Sequence, residues 1–116
     1  MKSGNHPLLH ILLVEDPKNA GTLPNRPSKG YLVISVHSVA DAVAVAAEMH
    51  FDLAIIDLDL PDGGGNALGQ LLSEDKSIPC IALGGSTPVR NGTFVALLPK
   101  PVNRRVLLGK LRKLRG

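Results

Sequence analysis

The chain has 116 residues, 44% hydrophobic but only 3% aromatic, and a formal net charge of +3. That length and composition suit one domain with a core of Leu, Ile, Val and Ala, and exclude disordered and fibrous classes. The single cysteine, Cys80, excludes an intrachain disulfide; inside the apolar run Ile78 to Leu83 it reads as a small buried hydrophobe in a reducing compartment.

Residues 1 to 8 read as a leader or linker, leaving 9 to 116 as the domain. The apolar run Leu8 to Val14 is short and interrupted by His10, which suits neither a signal peptide nor a membrane span. Ile11 to Val14 is a first strand, closed by the acid pair Glu15-Asp16. Pro17, Gly21, Pro24, Pro27 and Gly30 then leave only Ala20 and Leu23 as apolar contacts, so a helix there is restricted to a turn or two. Tyr31 to Val36 reads as the second strand. Ser38 and Asp41 have capping-box spacing ahead of an Ala/Val-rich helix to about Met49.

The stretch from Asp52 to Gly65 is an unbroken apolar run ending in Asp57, followed by a Pro/Gly turn. Such a run suits a central parallel strand covered on both faces, and chemistry in open parallel sheets gathers at the carboxyl ends of the strands. After Gly63-Gly64-Gly65, Leu68, Leu71 and Leu72 recur at helical spacing to about Glu74. Ile78 to Leu83 is a fourth strand. Gly84 to Pro88 leaves little space for a helix before a fifth strand, Phe94 to Leu98, which Pro99 places at an edge. A last helix begins near Asn103 with the stripe Leu107, Leu108, Leu111 and Leu114. Its basic residues, Arg104 to Arg115, read as a solvated face rather than a nucleic-acid surface, since no aromatic residue accompanies them. The alternation predicts an α/β fold with five parallel strands and right-handed crossovers.

Sheet geometry then brings together Glu15-Asp16, Asp57 and Lys100, each at the end of a strand. Clustered carboxylates repel unless a cation joins them, and an oxygen-only site with few protein ligands suits Mg2+. Asp57 can act as a nucleophile toward a phosphoryl group, whose oxygens the metal and a lysine neutralise.

On these residues the chain resembles the receiver domain of two-component response regulators, from about Ile11 to Leu114. The acid pair is Glu15-Asp16; the phosphoacceptor pattern, with Pro four and Gly eight residues on, is Asp57, Pro61 and Gly65; the Lys-Pro pair is Lys100-Pro101. The resemblance implies a flavodoxin-like doubly wound sheet, order 2-1-3-4-5, in which the prolines after the first strand and the short segment from Gly84 to Lys100 leave the first and fourth helices weak. It also implies phosphorylation of Asp57, catalytic roles for Asp57 and Lys100, and a cis Lys100-Pro101 bond. Mg2+ is expected among Glu15, Asp16, Asp57 and Asp59, with a backbone carbonyl at Leu58 or Asp59. The implied partner is a sensor histidine kinase or a histidine phosphotransfer domain, in the cytoplasm; the chain is a signalling module rather than an enzyme, and its opening, Leu9 to Asp16, is similar to receivers fused behind histidine kinases.

Two positions depart from the family pattern: its hydroxyl residue at the end of the fourth strand falls on Gly84, and its switch aromatic on Leu97. With the thin cover expected near Asn19 to Lys29 and Ser86 to Thr93, they raise a second reading, a degenerate receiver that docks to a neighbouring domain or forms a homodimer. Other patterns are weaker. Asp57-Leu58-Asp59 echoes haloacid-dehalogenase-like phosphohydrolases, but Pro61 and the strand order disagree. Gly63, Gly65 and Gly69 stand too far from the strand for a dinucleotide loop. His6, His10, His37 and His50 lack metal-ligand spacing.

Overall fold

A computed structural model describes residues 8–19, 23, 30–84 and 92–115. Strand and helix alternate as β1 (Leu9–Val14), a 3-10 turn (Pro17–Asn19), β2 (Tyr31–Val36), α1 (Val39–Glu48), β3 (Leu53–Asp57), α2 (Gly65–Asp75), β4 (Cys80–Leu83), β5 (Ala96–Leu98) and α3 (Arg104–Arg115). All strand pairs are parallel and the order is β2-β1-β3-β4-β5, as expected. β3 is buried along its whole length, which its unbroken apolar run requires.

Period-two alternation divides the core between the two faces of the sheet. Leu12, Val14, Ala54, Ile56 and Cys80 face Ala42 and Ala46 of α1 and Leu68 and Leu72 of α2. On the opposite face Ile11, Leu13, Leu53, Ile55, Ile81 and Leu83 meet Leu23 and, from α3, Leu107 and Leu111. The short Ala side chains let α1 lie close to the sheet. Its start is fixed by Ser38, whose hydroxyl accepts the Asp41 N–H at 3.1 Å. Asn103 Oδ1 caps α3 in the same way through the Val106 N–H. Thin cover near Asn19 to Lys29 and Ser86 to Thr93 was expected on segments that lie mostly outside the described residues.

Element ends shift by a residue or two for local reasons. β4 begins at Cys80 rather than Ile78, because the Ile78 N–H turns back to Leu72 at the end of α2 and Pro79 has no N–H to give. β5 spans Ala96–Leu98 only: Phe94 leaves the strand line to pack against the first face, with its ring over Gly69. A β-carbon on Gly69 would lie 2.5 Å from that ring, so the glycine is what lets ring and helix meet.

Candidate functional site

Asp57 closes β3, and only 1% of it is exposed. A carboxylate that deep is costly unless it is paired and hydrogen-bonded. Both conditions are met. Lys100, two residues beyond β5, places Nζ 2.6 Å from Asp57 Oδ1, and the Asp59 N–H donates to the same oxygen at 2.8 Å. Oδ2 receives the Asp16 N–H across a longer 3.4 Å, so it is the less engaged of the two oxygens. The Lys100-Pro101 peptide is cis.

The neighbouring strands supply the rest. Glu15, 1% exposed, and the half-buried Asp16 follow β1; the Glu15 N–H bonds Val36 of β2, and its carbonyl lies 3.0 Å from His37 Nδ1. Asp16 Oδ1 accepts the Lys18 N–H at 3.0 Å, which shapes the turn after β1. The structure thus brings Lys100 and the main chain of Asp16 to the Asp57 carboxylate, with Glu15 buried one residue before Asp16. Asp59 stands slightly apart: its Oδ2 lies 3.5 Å from Lys100 Nζ, and its side chain is 37% exposed.

Among the described residues no group of three or more His, Cys, Asp or Glu side chains converges to hold a metal ion. What the strand ends show is sparser: the Asp57 carboxylate with the Asp16 main chain against its Oδ2, while Asp16 Oδ1 takes the Lys18 N–H. Carboxylate oxygens are hard donors, the kind that Mg2+ takes while keeping several waters.

Gly65 explains the last residue of the acceptor pattern. A β-carbon there would lie 2.9 Å from the Asp57 carbonyl oxygen and 3.1 Å from Leu58 Cα, so only glycine lets α2 begin against the end of β3. Gly84 holds φ at +137°, a region that L side chains rarely adopt. Leu97 points outward from the edge strand and is 46% exposed.

The sequence places Asp62 in the loop after β3 but does not show what it bonds. Asp62 Oδ2 accepts the Val39 N–H at the first turn of α1 at 2.9 Å, and its Oδ1 lies 3.4 Å from the Gly64 nitrogen, tying the loop after β3 to the next helix. The Pro-Asp-Gly order at 61–63 signals a turn, but the helix that Asp62 caps lies over twenty residues earlier in the chain.

No family model matches the chain. The polar-differentiation response regulator DivK of Brucella ovis is 31% identical over 85 residues, covering 66% of this chain and 69% of its own length. A CheY-like response regulator receiver domain from Methanospirillum hungatei has a TM-score of 0.77 at 27% identity, over 93% of this chain and 94% of that one. A two-component response regulator from Clostridium difficile, 20% identical over 90% and 93% of the two chains, shares the fold with a TM-score of 0.76.

Proposed function

The chain belongs to the receiver domains of two-component response regulators, and on that premise we propose that it accepts a phosphoryl group on Asp57. The observation that carries the proposal is the 2.6 Å contact between Lys100 Nζ and a carboxylate otherwise sealed at the end of the central strand. In this reading the donor is a phosphohistidine on a sensor histidine kinase or a histidine phosphotransfer domain in the cytoplasm. An Asp57 oxygen attacks phosphorus in line, the P–N bond breaks, and the imidazole nitrogen keeps the bonding pair and takes a proton. Oδ2 is the oxygen with capacity to spare. The product is an acyl phosphate, and Lys100 then turns its ammonium to a phosphoryl oxygen. Asp16 and Asp57, with a main-chain carbonyl of Leu58 or Asp59 and with Glu15 nearby, would hold Mg2+, which when bound supplies positive charge to the phosphoryl oxygens.

The test is direct. After incubation with Mg2+ and phosphoramidate, intact mass measured under conditions that preserve acyl phosphates should show one phosphoryl group on the wild type and none on Asp57→Asn. Labelling that persists in Asp57→Asn overturns the assignment.

Gly84 and Leu97 favour a second reading, a degenerate receiver that serves as a docking or dimerisation module. With no hydroxyl at one and no aromatic ring at the other, phosphorylation lacks the differential contacts that shift a two-state element. Amide NMR shifts that stay within the loops at Asp16, Asp57 and Gly84 on adding a phosphoryl mimic support it. Shifts that spread into β5 and α3 exclude it.

A further inference from the structure

Asp59 occupies the space that Gly84 leaves open. Its Oδ2 is 3.5 Å from Lys100 Nζ, and Lys100 is also the partner of Asp57. A β-carbon built on Gly84 would fall 3.2 Å from that same Oδ2. The Asp59 carboxylate therefore lies near both the lysine that pairs with Asp57 and the end of β4. A side chain at position 84 would encroach on it.

We propose that the Asp59 carboxylate competes with the phosphoryl group for Lys100, and so sets how tightly this site holds an anion. The proposal rests on the acceptor reading of Asp57. The ammonium has three N–H donors, and Asp57 Oδ1 takes one of them. An arriving phosphoryl oxygen must take another while entering a space already bordered by a full negative charge. Asp59 is held at the site by its pairing with the lysine, yet it is exposed enough to swing outward when displaced. It acts through Lys100 and through charge, as a positioning and specificity-determining residue. The glycine at position 84 is in this light a condition for the competitor's presence as well as a missing hydroxyl.

The test uses beryllofluoride as the anion, with Mg2+ saturating for each variant, and reads affinity by 19F NMR for the wild type, Asp59→Asn, Asp59→Glu and Asp57→Asn. Removing one like charge beside the anion at a partly exposed site should tighten binding about tenfold in Asp59→Asn. The ratio to the wild type should shrink as salt is raised, because only an electrostatic competitor is screened. Asp59→Glu keeps the charge and should stay close to the wild type. Equal affinities of the wild type and Asp59→Asn, with binding lost in Asp57→Asn, overturn the competitor role and leave the acceptor reading standing. The same tightening in Asp59→Glu as in Asp59→Asn assigns the effect to shape and also overturns it. No binding by wild type or Asp59→Asn overturns both readings together.

Discussion

Replacing Gly84 by threonine would restore the hydroxyl expected at the end of the fourth strand, and the structure predicts that the restoration fails. Gly84 sits at φ +137°, and its N–H donates to the Leu98 carbonyl at 3.0 Å, which fixes the backbone where β4 meets β5. A side chain held in such a region costs about 2 kcal/mol. The added β-carbon also meets Leu58 Cβ at 3.4 Å and Asp59 Oδ2 at 3.2 Å. The first is ordinary contact, and the second can be relieved because the Asp59 carboxylate ends a partly exposed side chain. The backbone term therefore dominates, and Gly84→Ala should suffer nearly as much as Gly84→Thr. For a domain of this size a loss of about 2 kcal/mol lowers the melting temperature by roughly 8 °C. Urea unfolding of wild type, Gly84→Ala and Gly84→Thr separates the terms, since the alanine variant carries the backbone strain without the hydroxyl. Wild-type stability in Gly84→Thr, together with tighter binding of a phosphoryl mimic, would show that this backbone relaxes readily and would refute the reasoning.

Three other outcomes follow from the same geometry. Lys100→Met leaves Asp57 buried without its cation and should cost about 2 kcal/mol, less than a fully buried pair because the lysine is partly exposed; Asp57→Asn in the same chain should recover most of it, and additive losses in denaturant would contradict the pairing. Mg2+ should bind weakly and Asp16→Ala should abolish that binding, read by titration; unchanged affinity removes Asp16 from the site. Burial pushes the Cys80 thiol from 9.0 up to about 12. The folded protein then keeps a proton that the unfolded chain loses, so this contribution to stability is complete below about pH 9 and declines as pH rises toward 12. Unfolding midpoints measured between about pH 8 and about pH 10 should fall more steeply for wild type than for Cys80→Ala, and parallel curves would contradict the shift.

The parts of the fold visible in the sequence are those written in local patterns. Ile55, Ile56 and their neighbours form a run that only a doubly covered strand can bury, Ser38 stands at cap spacing, and Pro99 marks the sheet edge. The meeting of Asp57 with Lys100 was also readable, because a parallel sheet gathers its strand ends on one side. What stayed hidden depends on contacts between distant segments. Nothing local announces that Phe94 will cross to Gly69 and shorten β5, or that Asp62 will cap a helix that precedes it. Gly84 could be read as a missing hydroxyl, whereas its positive φ and the Asp59 carboxylate beside it emerge only from the backbone path between β4 and β5.

The central claim is that Asp57 is where the phosphoryl group attaches. Borohydride reduces an acyl phosphate on aspartate to homoserine, so treating the phosphodonor-reacted protein and mapping its peptides identifies the attachment point. The account predicts homoserine at position 57 alone, dependent on Mg2+ and absent without the donor. Homoserine at position 16, 59 or 62 in its place would contradict it.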